Sequence, residues 1–348
     1  MNPFRFCCSF VHLKWSHRRV EREIVLKQLH INKGIGINKP FHSTVFLCFV
    51  AVVHTVQHRL MFQSEKNMCI FHVEKMKAED FPFAVQLANT MHWNMTVKDF
   101  EFMLELEPQG CFVQFHDMER VGIATSVGFG KVGWLGNFIV KEDVRREGAG
   151  SLLMKTAIDY LKSKGVETIG LYAYPHLVKF YKSFGFESDI DFLVLKGKTA
   201  FLASQEMLKA ATKRDIPKLI ALDCKCFGAN RKKLLEPLFL NKDNLCYTST
   251  ENSKITGYVA AKVYEKMAEV GPLICHANRG EDALLLLKTV LTRLNGLKVF
   301  IYVPKKETIL LNMLYQAGFE EDFRVVRMHF GPAIVKNCIC TAESLERG

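Results

Sequence analysis

One pattern recurs at a nearly constant offset and limits this chain to folds that can be built twice. Asp80-Phe81-Pro82 returns 135 residues later as Asp215-Ile216-Pro217, and the same step carries Gly122 in Arg120-Val121-Gly122-Ile123 onto Gly257 in Ile255-Thr256-Gly257-Tyr258. Gly185-Phe186 meets Gly318-Phe319 at an offset of 133. Three landmarks in register point to two copies of one supersecondary arrangement. The first copy is expected over residues 68–196 and the second over 205–335, with the boundary in 197–204.

Within the first copy the elements read locally. Residues 69–73 form a short strand pattern, Ala78-Glu79-Asp80 with Pro82 opens a helix to about Asn89, and a second helix is predicted over 97–106. Segments 110–115, 120–127 and 133–140 are rich in Val, Ile, Phe and Trp between polar or glycine turns, which predicts an antiparallel meander. In 151–162, Leu153, Ala157 and Leu161 recur every four residues with Met154 and Ile158 beside them, a helical apolar stripe that leaves Lys155, Asp159 and Lys162 in water. Segment 168–173 reads as a buried strand, Pro175 starts a helix to about Phe184, and 189–195 makes a closing strand. The expected fold class is α/β in the α+β sense: two tandem units, each a mixed, mostly antiparallel sheet flanked by helices.

Composition bounds the partners. Residues 1–67 carry +7 of the formal +11 charge, from ten Lys/Arg against three Asp/Glu. The remaining excess suits an enzyme that binds a phosphate-rich molecule, and a nucleic-acid partner is not expected. Residues 1–67 lack sustained periodicity and read as a poorly structured extension. The apolar run 45–53 has nine residues, short of the ~20 of a membrane-spanning helix. The basic stretch 1–39, broken by Trp15, His17 and Gly34, does not read as a secretory leader. Eleven cysteines follow no repeating frame, and the one-residue gaps of Cys224/Cys226 and Cys338/Cys340 are too short for zinc pairs. Reduced thiols, no metal and a cytoplasmic location are therefore expected.

The stretch Val144-Arg145-Arg146-Glu147-Gly148-Ala149-Gly150 lies between a predicted strand and the amphipathic helix, so its amides open onto a helix N-terminus. Such a turn attracts anions. Glycines at 148 and 150 let a backbone approach a pyrophosphate, and Arg145 and Arg146 add positive charge. By itself the turn is equally compatible with a tight structural connection. A dinucleotide fingerprint would need a third glycine at Leu153 and parallel βαβ units, and a Walker loop would need Gly-Lys-Ser/Thr; neither is present here.

Taken together, Phe138-Ile139-Val140, then Arg145-x-x-Gly148-x-Gly150, then Phe180-Tyr181-x-x-x-Gly185-Phe186 resembles the GNAT superfamily of N-acetyltransferases. The resemblance runs from about Met68 to Lys196, and through the repeat to about Pro332. It implies acetyl-CoA as co-substrate, with its pyrophosphate on Arg145, Arg146, Glu147, Gly148, Ala149, Gly150 and Ser151 and its pantetheine arm along Phe138, Ile139 and Val140. It implies Tyr181 as the acid that protonates the departing thiolate, no metal, and direct attack of an amine whose identity the sequence does not give. The family's frequent Asn seven residues before the tyrosine is replaced by Tyr174, followed by Pro175 and His176. This variant with a tandem copy looks like the GNAT branch that carries a C-terminal GNAT-like domain. No general base is assigned among Glu105, Glu107, His116 and Asp117, and Trp93 and Trp134 read as core.

The second copy lacks these features. Its corresponding loop reads Cys275-His276-Ala277-Asn278-Arg279-Gly280-Glu281-Asp282, with one glycine and two adjacent acids, and Leu314 stands four residues before Gly318 with Tyr315 turned about 100° away. It is expected to wall the acceptor site rather than to catalyse. Two other readings stay open: a non-catalytic acyl-CoA-binding or sensing protein, and a basic interaction protein acting through residues 1–67. Oligomeric state is not legible.

Overall fold

The computed structural model describes residues 71–198, 208–333 and 338–348. The expected extension over 1–67, the start of the first strand at 69–70 and the rest of the boundary segment lie outside the described residues. The first copy runs β1 (Phe71–Lys75), α1 (Phe81–Asn89), α2 (Val97–Leu106), β2 (Cys111–His116), β3 (Glu119–Phe129), β4 (Val132–Val140), α3 (Ala149–Ser163), β5 (Thr168–Ala173), α4 (Val178–Lys182) and β6 (Glu187–Lys198). The second repeats that order as β7 (Lys209–Ala210), α5 (Ile216–Phe227), α6 (Lys232–Leu240), β8 (Leu245–Glu251), β9 (Lys254–Val263), β10 (Met267–His276), α7 (Gly280–Arg293), β11 (Lys298–Pro304), α8 (Thr308–Gln316) and β12 (Glu320–Phe330). A short strand, β13 (Cys338–Cys340), follows.

The repeat landmarks do equivalent jobs. The Asp80 carboxylate accepts the Lys77 amide at 2.8 Å, and the Asp215 carboxylate accepts the Thr212 amide at 2.9 Å, each closing the turn before a helix with proline in its first turn. Gly122 and Gly257 sit where a Cβ would press the backbone oxygen of the next strand, at 3.2 Å from Ile139 O and 3.0 Å from Ile274 O. The amphipathic stripe also holds: Leu153, Met154, Ala157, Ile158 and Leu161 of α3 are buried.

The two sheets are not separate. The strand order is β1-β2-β3-β4-β5-β12-β6-β11-β10-β9-β8-β7, so the closing strands have changed places. β12 of the second copy pairs antiparallel with β5 of the first, and β6 of the first pairs with β11 of the second. β6 and β12 pair with each other between them. The mixed, mostly antiparallel strands expected of each copy are present, and they join into one continuous sheet. The sequence reads 189–195 as a strand but not which edge it joins, because partner choice rests on non-local contacts.

Helices α1 and α2 cover one face of the first copy, with Phe81, Phe100, Met103, Ile123 and Trp134 in a common core. On the other face α3 packs Leu153, Met154 and Leu161 against Leu135, Ile169 and Leu171. The copies are also joined by polar contacts. Lys233 of α6 donates to the Glu107 carboxylate at 2.6 Å, and Phe227 of α5 meets Phe129 with ring centroids 5.9 Å apart. Beneath them Arg231, 1% exposed, makes a two-point pair with the fully buried Asp223 at 3.0 and 2.7 Å, and Tyr258 donates to the same carboxylate at 2.7 Å.

Removing one partner of a buried pair strands the other charge. Asp223→Ala is expected to cost about 3–5 kcal/mol of stability, measured by denaturant unfolding with Lys233→Ala as an exposed-pair control worth under about 1 kcal/mol.

Candidate active site

The site begins where β4 leaves β5. The two strands pair in parallel at Val132↔Thr168, Gly133↔Ile169 and Trp134↔Gly170, and among the described residues β4 has no strand partner on that edge beyond Trp134. Trp134 holds the parting point: a Cβ on Gly170 would fall 2.3 Å from its ring, so a side chain there would collide with it. On its other edge β4 is bulged. Ile123↔Ile139 is followed by Thr125↔Gly136, leaving Asn137 and Phe138 opposite Ala124 alone, with Asn137 in the left-handed region at φ +47°. Residues 135–140, which include the predicted arm-binding Phe138, Ile139 and Val140, thus offer backbone to a gap in the sheet.

At the far end of β4 the chain makes a turn and enters α3. Arg146 (φ +69°) and Gly148 (φ +97°) take left-handed conformations, which Gly148 adopts without strain. The first intrahelical bond is Leu152 N to Gly148 O at 3.1 Å. The amides of Ala149, Gly150 and Ser151 therefore point out of the helix with no partner in it. Gln114 of β2, fully buried, donates to Ala149 O at 2.8 Å and fixes this turn against the sheet. Arg145 donates to Val140 O at 3.0 Å, while Arg146 and Glu147 are exposed. The predicted residues 145–151 are therefore brought together, and nothing lies within 4 Å of a Cβ built on Gly148.

Tyr181 sits on α4 across the gap. Its ring packs against Phe138 with centroids 6.2 Å apart and against Phe180 and Phe186. Gly150 joins the same group, since a Cβ there would lie 3.6 Å from Phe180 and 3.8 Å from Phe138. Burial pushes the Tyr181 phenol well above its ordinary value, because the phenolate would lose its hydration. The group remains a proton donor through the neutral range.

The candidate bases are placed elsewhere. Glu107 lies near the β3–β4 hairpin end, at the opposite end of β4 from the gap, and receives Tyr160, Lys233 and the Gly128 amide. Burial would raise its carboxyl, but those three donors outweigh that and hold it below the usual range. Glu105 is exposed on α2, and His116 ends β2 against Phe71 at 4.7 Å, next to Asp117 in the turn. Trp93 donates to Tyr174 at 3.1 Å.

The equivalent gap in the second copy is filled. β10 pairs in parallel with β11 only up to Val270↔Ile301, and beyond that β13 enters, pairing antiparallel at Ile274↔Cys340, Cys275↔Ile339 and His276↔Cys338. Thr341 N donates to Leu273 O at 3.0 Å and Ala342 N to Tyr302 O at 3.2 Å, so the inserted segment bonds to both walls. A disulfide, Cys226–Cys338, ties it to α5, where the sequence reading leaves every cysteine a thiol; a separation of 112 residues gives no local signal of such a bond. Leu314 is fully buried and Tyr315 is 44% exposed, and Asp282 is held by Thr256 at 3.0 Å.

An open gap beside a bulged strand, a glycine turn leading into a helix and a tyrosine helix alongside define an acetyltransferase class of fold. Comparison with known proteins gives the family. Residues 74–186 match the acetyltransferase (GNAT) family and residues 219–338 an acetyltransferase (GNAT) domain, so the chain carries two GNAT-family domains in tandem. Among solved structures it is similar to a proposed acetyltransferase of Pyrococcus horikoshii, with 22% identity, 80% of this chain and 96% of that one covered, and a TM-score of 0.68. A GCN5-related N-acetyltransferase of Sphaerobacter thermophilus matches with 15% identity, 76% and 97% coverage and a TM-score of 0.58. A tandem GNAT protein from the clavulanic acid biosynthesis pathway matches with 13% identity, 76% and 100% coverage and a TM-score of 0.54. No helix among the described residues is long and apolar enough to cross a membrane.

With one gap open and the other occupied by β13, calorimetric titration of acetyl-CoA is expected to give about one site per chain. Two equivalent sites would contradict the assignment of β13 as a filler.

Proposed function

We propose that this protein is an acetyl-CoA-dependent N-acetyltransferase that transfers an acetyl group to an amine of a small molecule or a protein. The observation that carries the reading is the parting of β4 from β5 at Trp134↔Gly170, with the 145–151 turn at one end and Tyr181 beside it. Acetyl-CoA supplies the activated acyl group. The free amides of 149–151 and the charge of Arg145 and Arg146 would receive the pyrophosphate, and the unpaired edge of residues 138–140 would take the amides of the pantetheine arm.

In this reading a neutral amine attacks the thioester carbonyl directly, and a β4 backbone N–H stabilises the charge that develops on its oxygen. The C–S bond breaks as the C–N bond forms, and the sulfur takes the Tyr181 proton. Burial suits Tyr181 to this role, since the raised pKa keeps the proton in place until a thiolate appears. The second copy, its own gap filled, acts as a wall beside the acceptor face. A cytoplasmic location goes with this family reading; Cys111, Cys224, Cys246, Cys275 and Cys340 are free thiols, and the Cys226–Cys338 disulfide is the one feature that weighs against it among the described residues.

The non-catalytic alternative, an acyl-CoA-binding or sensing protein, is favoured by one feature: residues 341–348 cover the acceptor face of β4. Two variants separate the readings. Gly148→Glu puts bulk and negative charge at the turn and is expected to abolish acetyl-CoA binding by calorimetry. Tyr181→Phe is expected to leave acetyl-CoA affinity unchanged and lower kcat by about 10²–10⁴ in an amine screen followed by thiol release. Thiol release that is amine-independent in the wild type and unchanged in Tyr181→Phe would favour the sensor. No loss of rate from ionisation of the proton donor is expected below about pH 10, because burial moves the Tyr181 pKa up and not down.

A further inference from the structure

On the face of β4 opposite α3, residues 341–348 lie directly over the parting point. A Cβ on Gly136, two residues past the last β4–β5 pair, would fall 2.6 Å from both Cα and O of Glu346. The Trp134 indole N–H donates to Leu345 O at 3.4 Å, and a Cβ on Gly348 would sit 2.8 Å from the same ring. The void that remains beside Trp134, Tyr172 and Arg231 is about 10 Å³, the room of a single water. On this face the segment covers β4 at Trp134 and Gly136.

Asn137 shares this face, since its Nδ2 donates to Thr125, which aligns with Ile123 and Val127 of the α1–α2 core. Asn137 is 3% exposed, yet its Oδ1 has no hydrogen-bond partner. That unpartnered acceptor is next in sequence to Gly136, which the segment covers.

Charged groups lie on both the segment and the cleft. Within the segment Arg347 pairs with Glu343 at 3.0 Å. In the cleft Lys262 pairs with Glu269 at 2.8 Å and Arg231 with Asp223 at 2.7 Å. Between the two sets, Glu343 approaches Lys262 at 3.0 Å and Arg231 donates to Gly348 O. Lifting the segment would keep the Arg347–Glu343 pair within it, separate Glu343 from Lys262, and expose Glu346, whose burial pushes its carboxyl up.

Resting on the acetyltransferase reading, we propose that residues 341–348 are an autoinhibitory strap, which closes the acceptor side of the open gap and must lift to admit the amine at Asn137. β13 anchors the strap in the second copy's gap, so the degenerate copy controls access to the active one.

The test uses hydroxylamine, a small nucleophile that is neutral at neutral pH, with acetyl-CoA, and reads acetohydroxamate. It compares the full chain with a variant lacking residues 341–348 and with Arg347→Glu, which turns the strap's internal pair into a repulsion. With an open state below about a tenth of the population, both variants are expected to form hydroxamate at least about tenfold faster, with acetyl-CoA affinity unchanged by calorimetry, which also shows that each variant is folded. If the deletion variant does not fold, Arg347→Glu decides. Equal or slower rates with acetyl-CoA still bound would overturn the strap. Failure of acetyl-CoA to bind the wild type would overturn the cofactor reading on which the strap depends.

Discussion

The Trp134 indole lies on Gly170 at the last residue pair between β4 and β5, and the site depends on that contact. Parallel strands joined through a helix ordinarily stay in register, and here the pairing stops after three residue pairs. The bulge at Asn137 and Phe138 turns β4 further from its neighbour. The gap that results has α3 and α4 on one side and α1 and α2 on the other. Phe138 reaches Tyr181 on the first side, while Gly136 and Asn137 lie on the second. A donor entering along α3 and an acceptor entering from the α1–α2 face would meet at the same few β4 residues.

The two copies use the same gap in opposite ways. In the first it is left open to a ligand; in the second β13 takes the position a ligand arm would take, bonding to both walls by main-chain groups. The exchange of β6 and β12 makes this asymmetry consequential, because it joins both gaps in one sheet. The segment that fills the second gap continues within a few residues onto the acceptor face of the first. A copy without a glycine turn or a tyrosine four residues before its Gly318 is thereby joined to the first through one sheet.

Local features were legible in the sequence. The α2 range and β5 range match their predicted spans, and the α3 stripe, the 145–151 turn and Tyr181 occupy the elements expected of them. Each rests on periodicity, glycine placement or helix-start residues within a short window. What was not legible involves partners distant in sequence. The strand pattern at 189–195 does not reveal that β6 and β12 trade edges. A cysteine pair 112 residues apart has no local signature. Residues 341–348 lie beyond the expected end of the second copy, and Glu343 and Arg347 are buried there with each other as counter-charge. Trp134 read as core, and it is core; its second role under the strap depends on residues more than two hundred positions away.

The most direct test of the central claim, that one gap in the sheet is a cofactor slot and its twin is filled by the chain itself, is a crystal structure of the full chain with CoA. The account predicts the pyrophosphate on the amides of 149–151 and the pantetheine arm along residues 138–140, with β13 still paired to β10. CoA bound between β10 and β11 with β13 displaced, or bound away from both gaps, would contradict it.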